Sequence, residues 1–180
     1  LPAALFDHEP SPYTVGKGDI LYVTVWDHPE LTVPAGPQQQ GALAGRLVQS
    51  DGMMFYPYIG KVTAAGKTPM EIREEISTRL AKYVESPQVD VAVLTYGSQR
   101  VWVTGAAQRS SPIALGTSPL TLADAVSQSG LDNLQADLSG IQLSRDGTTY
   151  TINLETLARE FGGRQLFLKD GDSIFVPYLD

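Results

Sequence analysis

The densest group of chemically capable side chains is Trp26-Asp27-His28-Pro29-Glu30, an imidazole with a carboxylate on either side. A set of this kind can move a proton as general acid and base. The same residues also suit the end of a strand. A residue before proline favours extended or turn geometry, and short polar side chains there satisfy free backbone groups. The run follows a β-branched stretch, so the turn takes precedence over catalysis. His8 and His28 lack the short spacing of paired metal ligands, and no metal is expected.

Other apparent motifs dissolve on inspection. Gly66-Lys67-Thr68 lacks the glycine five positions upstream that a phosphate loop needs, since Lys61 stands there. Gly16-Lys17-Gly18 precedes a strand, whereas a dinucleotide fingerprint follows one. No cofactor is therefore implied. Carboxylates are plentiful, and a glycosidase pair must face one cleft at a defined separation. Asp51 and Asp146 sit in Asp-Gly turns, and Asp19 and Asp172 in Gly-Asp turns, so each has a local task. No serine lies in a Gly-x-Ser-x-Gly elbow. The tryptophans Trp26 and Trp102 and the eight tyrosines have faces on which sugar rings stack. Both tryptophans fall within alternating strands and are expected in the core or in a subunit contact.

Composition narrows the class further. The chain of 180 residues is 42% apolar and 18% charged, which describes folded modules and not a disordered tail. A net charge of −7 without a Lys/Arg cluster argues against nucleic acid, whose binding rests on phosphate neutralisation. The absence of cysteine excludes thiolate chemistry within the chain. No run reaches the ~20 apolar residues of a membrane span, and no signal peptide opens the sequence, so an exported protein would appear here as a mature or excised part.

The elements that must hold these residues are mixed. Residues 1–12 are proline-rich and read as an extended lead-in. Ile20–Trp26 is a strand with Leu21, Val23 and Val25 on one face. Pro34–Gly45, with Gln38, Gln39 and Gln40, is a polar loop. Ser50-Asp51-Gly52 predicts a hairpin between Leu47–Gln49 and Met53–Tyr58. Thr68-Pro69-Met70-Glu71 opens a helix through a capping box, and Ile72, Ile76 and Leu80 form its stripe, extended by Tyr83 and Val84. Glu74, Glu75, Thr78 and Lys82 face away from that stripe. Val89, Val91 and Val93 alternate in a strand, as do Val101 and Val103 beyond a boundary at Tyr96-Gly97-Ser98. Thr121–Asp124 starts a second capped helix ended by Gly130. Asp146-Gly147 turns a second hairpin, Asn153 caps a short helix carrying Leu154, Leu157 and Phe161, and Ser173–Val176 is a last strand. Strands and helices mixed with hairpins make an α+β protein in two small units, 13–97 and 98–180. Lys17-Gly18-Asp19 and Asp170-Gly171-Asp172, each running into a strand, echo one another.

Tyr13–Leu31, then Asp51–Val62, Gly66-Lys67-Thr68 with its helix, and Ser86–Val91 resemble, in order and spacing, the polysaccharide export domain of Wza-type translocons. Gly18, Asp19, Trp26, Asp27, His28, Pro29, Asp51 and Gly52 carry that motif and are expected to be structural. Val101–Gly105, Pro119–Ala125 and Gly171–Pro177 resemble the soluble-ligand-binding (SLBB) β-grasp domain that follows in the family. The resemblance implies a homo-oligomeric ring, octameric in the Wza type, on the periplasmic face of the outer membrane. It implies capsular or extracellular polysaccharide as cargo, an inner-membrane co-polymerase as partner, and no catalysis. Contact with the outer membrane is expected only through segments absent from this chain. Gln38, Gln39 and Gln40 fall where the family's loop approaches the ring axis, and would offer hydrogen bonds without fixed charge. The competing expectation is a monomeric polysaccharide-binding or adaptor module of the same machinery.

Overall fold

The computed structural model describes residues 2–32, 45–107, 112–131, 135–160 and 164–179, the side chain of Ala158 excepted. The α+β class holds, and the chain divides into two compact units. One comprises Pro12–Ser98, the other Gln99–Asp180 together with the chain up to Ser11.

In the unit formed by Pro12–Ser98, strand β1 (Ile20–Val25) is central in an antiparallel sheet of order β2-β1-β5. Its alternation points Leu21, Val23 and Val25 inward, and β5 (Val89–Thr95) sets Val93, Val91 and Val89 opposite them. Directly opposed β-branched and aliphatic pairs of this kind are the unit of sheet stabilisation. Helix α1 (Pro29–Thr32) follows β1. Helix α2 (Pro69–Leu80) covers the sheet with Ile72, Ile76 and Leu80, all fully buried. Its first turn is the expected box: the Glu71 amide donates to Thr68 Oγ1 and the Thr68 amide to Glu71 Oε1. Both bonds also hold the exposed Glu71 carboxyl below its usual range. Thr68→Ala is expected to lower the stability of this unit by about 1 kcal/mol. Urea denaturation checks it, and an unchanged midpoint would remove the cap's role.

Three local expectations are corrected. The turn at Asp51-Gly52 exists, with the Gln49 amide bonded to the Met53 carbonyl, but it does not join a hairpin. Strand β2 (Arg46–Leu47) pairs with β1, while β3 (Met53–Tyr56) pairs with β4 (Gly60–Thr63). That hairpin reverses through Pro57-Tyr58-Ile59, with Tyr58 at φ 70°. Second, α2 stops at Leu80, so Tyr83 leaves the buried stripe and stacks on Tyr58 at the surface, ring centroids 5.5 Å apart. Third, the lead-in is not simply extended. Ala3–Phe6 form a 3-10 turn, and Leu5 and Phe6 are buried in the core of the unit that contains Gln99–Asp180. Arg164 donates to the Phe6 carbonyl and lies over the Phe6 ring.

That second unit is a five-stranded sheet of order β7-β6-β10-β8-β9. Strand β6 (Arg100–Gly105) runs parallel to the central β10 (Ser173–Val176), while β7 (Ile113–Ala114), β8 (Ile141–Arg145) and β9 (Thr148–Ile152) pair antiparallel. Helices α3 (Leu122–Gln128) and α4 (Leu157–Glu160) belong to the same unit. Thr121 and Asp124 form a second capping box, and Asp146 and Gly147 at φ 50° and 83° make the tight hairpin turn. Leu157 is buried as expected of its short helix, whereas Phe161 lies outside the described residues.

Candidate functional site

Asp19 is a heavily bonded side chain of the first unit, and it is fully buried. Gly18, at φ 91°, turns the chain so that this carboxylate faces inward. One oxygen accepts the Tyr13 hydroxyl at 2.6 Å, the Gly16 amide at 3.0 Å and the Ser98 hydroxyl at 2.9 Å. The other accepts the Gly97 and Ser98 amides at 2.7 and 2.8 Å. Bonds to an ionised acceptor are about twice as strong as neutral ones. The carboxylate thus fastens the start of the unit to its end. Gly97 runs so close that a Cβ there would lie 2.5 Å from the Gly18 carbonyl oxygen. Burial, then the bond to Asp19, raises the Tyr13 phenol well above its usual value.

The echo in the second unit has the same construction. Gly171 adopts φ 90°, and Asp172 is 1% exposed. In both turns the aspartate accepts the amide three residues earlier, Gly16 in one and Lys169 in the other. Asp172 differs in its remaining partner, a forked pair from Arg145 at 3.0 and 2.7 Å. Both aspartates are therefore committed to the fold and offer no face to a substrate. Their turns reach farther than the local task expected of them, because the chief partners are distant in sequence.

The Trp26–Glu30 run is a strand end, as its residue types suggest. The Trp26 amide donates to the Gln88 carbonyl, and Asp27 adopts φ 67°, a conformation aspartate tolerates. Pro29 opens α1, whose Thr32 hydroxyl accepts the Val25 amide at 3.1 Å. The Leu31 carbonyl takes Arg46 Nη2 at 3.0 Å and the Tyr56 hydroxyl at 2.7 Å. Arg46, 8% exposed, lies 4.5 Å above the Tyr56 ring. Burial lowers the guanidinium's pKa and pushes the Tyr56 phenol up to about 12. His28 Nδ1 lies 3.0 Å from Glu30 Oε1 at the surface. Glu30 is held below its usual range first by a backbone hydrogen bond and then by His28. Asp27 is exposed too, and the imidazole meets Glu30 on open surface, without the enclosing wall that tunes an acid/base pair.

Asp51 and Gly52 lie apart from this run. Asp51 Oδ1 accepts the Met53 amide at 2.9 Å, and the Gly52 carbonyl accepts the amides of Ala64 and Ala65. Gln38, Gln39 and Gln40 lie outside the described residues.

Trp26 is 63% exposed, so of the two places expected for it, core or subunit contact, the core is not the one. It edges an open groove of about 700 Å³ lined also by Arg73, Glu74, Ser77 and Thr78 of α2 and by Pro87–Asp90. An aromatic ring beside hydroxyl, amide, guanidinium and carboxylate groups suits a hydroxylated ligand. The signal was available in the sequence: with Leu21, Val23 and Val25 inward, strict alternation turns Trp26 outward.

An α+β module closed by a Gly-Asp turn, followed by a β-grasp module and bearing open aromatic surfaces, is the class of protein that fold and site define. Residues 7–94 match the family described as "Polysaccharide biosynthesis/export protein", and residues 99–176 match the SLBB domain. The chain belongs to this polysaccharide export family. It is 35% identical over 180 residues to the EPS I polysaccharide export outer membrane protein EpsA of Ralstonia nicotianae, covering 92% of this chain and 47% of the relative. The capsule polysaccharide export outer membrane protein CtrA of Neisseria meningitidis serogroup A is 28% identical over 176 residues, covering 92% and 45%. The capsule polysaccharide export protein BexD of Haemophilus influenzae is 27% identical, covering 91% and 44%. The chain thus spans just under half the length of each of these relatives. Among the described residues no helix is long and apolar enough to cross a membrane.

Proposed function

We propose that this chain is the periplasmic part of an outer-membrane translocon that exports capsular or extracellular polysaccharide. The observation that carries the reading is the pairing, in order, of the export and SLBB modules across nearly the whole chain, shared with relatives named for that export. In this reading copies of the chain stand side by side in a ring that walls a hydrated passage, and an inner-membrane co-polymerase meets its periplasmic end. Such a ring needs two different patches that meet head to tail and close. The wall makes and breaks no bond. It contacts the polymer through open polar and aromatic surfaces from which a hydrated chain can slide. We assign Gln38, Gln39 and Gln40 to the passage as part of this proposal.

Electron microscopy of the full-length protein in detergent tests this, with closed rings expected. A strictly monomeric particle would sink it and favour the single-copy glycan-binding module, which the exposure of Trp26 also suits. In a complementation strain, replacing Gln38, Gln39 and Gln40 by tryptophan is expected to slow export while leaving expression and melting unchanged. Wild-type export by that variant would take the loop out of the passage.

A further inference from the structure

The five-stranded sheet of the second unit has one buried and one open face. Val101, Val103, Ile174, Val176, Leu143, Ile141 and Ile152 point into the core. The alternate residues point out, and the register arranges them in two rows. Trp102, Ser173, Ser144 and Thr149 stand side by side in the first. Thr104, Phe175, Gln142 and Thr151 stand side by side in the second. Trp102 and Phe175 are each 41% exposed. Arg100 ends the face, its guanidinium 5.9 Å from the centre of the Trp102 ring. Neither row contains a carboxylate, although the chain carries 20 acidic residues against 13 basic ones.

We propose that this face is a glycan-binding surface, with Trp102 and Phe175 as stacking platforms and the Ser, Thr and Gln side chains as hydrogen-bond partners. The chemistry selects the occupant. Two aromatic rings set diagonally among five hydroxyls and an amide on the open sheet suit a protein partner poorly. Docking a protein there would strip water from groups that each need a replacement bond. A sugar carries hydroxyls that donate and accept, matching those rows, and an apolar ring face that stacks on an aromatic one. Four adjacent strands span about 14 Å, long enough to follow a polymer through more than one residue. A cation at the edge and no acid in the rows admit an anionic polysaccharide onto a chain whose net charge is −7. The inference rests on the export reading for its cargo, yet it is tested without it.

The test is affinity electrophoresis of the whole chain through gels containing polygalacturonate, with polyglutamate as a polyanion that has no sugar rings. Retardation by polygalacturonate and not by polyglutamate is expected. Trp102→Thr/Phe175→Thr, which keeps strand-forming residues at both positions, should weaken it about tenfold or more. Trp26→Phe makes Trp102 the sole tryptophan, whose fluorescence should then respond to the polymer. Gln142→Ala, which leaves both platforms in place, should weaken retardation less than the double variant. Equal retardation of the double variant, equal retardation by polyglutamate, or no retardation at all would overturn the proposal. If rings form in full-length protein while this binding fails, the export reading stands and only the assigned face is lost.

Discussion

Asp19→Ala is expected to destabilise the first unit by about 4 kcal/mol or more. The substitution removes one acceptor from five donors at a fully buried position. Three of those donors are backbone amides with no freedom to turn elsewhere, and each buried unsatisfied group costs about 1–3 kcal/mol. Water entering the vacated space recovers part of this. Asp19→Asn keeps the shape and one acceptor oxygen but sets an amide NH2 against donors, and is expected to cost about half as much. Hydrogen exchange checks the mechanism. The amides of Gly97 and Ser98 should lose protection together, because they share one oxygen. Unaltered exchange at those two amides would refute the account of Asp19 as the clasp between the unit's ends. The Tyr13 bond adds a pH signature. A phenol whose folded pKa is raised contributes stability that is complete below its usual value of 10.0 and is lost as pH rises through the higher folded one. The Tyr13 arm of the clasp is therefore whole at neutral pH and weakens in strongly alkaline solution.

Arg145→Leu is expected to cost the second unit about 3–5 kcal/mol, the usual consequence of leaving one charge of a buried pair alone. Arg145 is 10% exposed at its side chain and Asp172 1%. Arg145 also donates to the carbonyl of Phe167, which would be left short of a partner. Asp172→Asn in the Arg145→Leu background removes the stranded charge, so the double variant should be more stable than Arg145→Leu alone. Thermal melts of the four proteins form a double-mutant cycle. Strict additivity would show that the pair is not coupled.

What the residues declared in advance was local. The capping boxes at Thr68 and Thr121 and the turn at Asp146-Gly147 depend on neighbours within four positions, and each forms as expected. The valine alternation in β1 and β5 likewise dictates which side of each strand meets the core. Long-range partners were hidden. Nothing near Asp19 announces Gly97 and Ser98, and nothing near Leu47 announces that β2 would join β1 in place of β3. Arg46 and Tyr56, which hold the Leu31 carbonyl, were unplaced for the same reason. For Trp26 and Trp102 the alternation already decided between the two expectations, core and subunit contact, against the core. Inward Val25 and Val101 place their neighbours outward.

The docking of Leu5 and Phe6 has a consequence for the timing of assembly. The second module's core contains residues from near the beginning of the sequence and from its last stretch, with Pro12–Ser98 inserted between them. During synthesis or vectorial passage across a membrane, N-terminus leading, those two apolar side chains emerge long before their partners. The inserted unit can close first on its own contacts. The module that holds Leu5 and Phe6 is thus finished after the inserted unit, and its slow step is the search of the segment before Pro12 for a distant, newly made core.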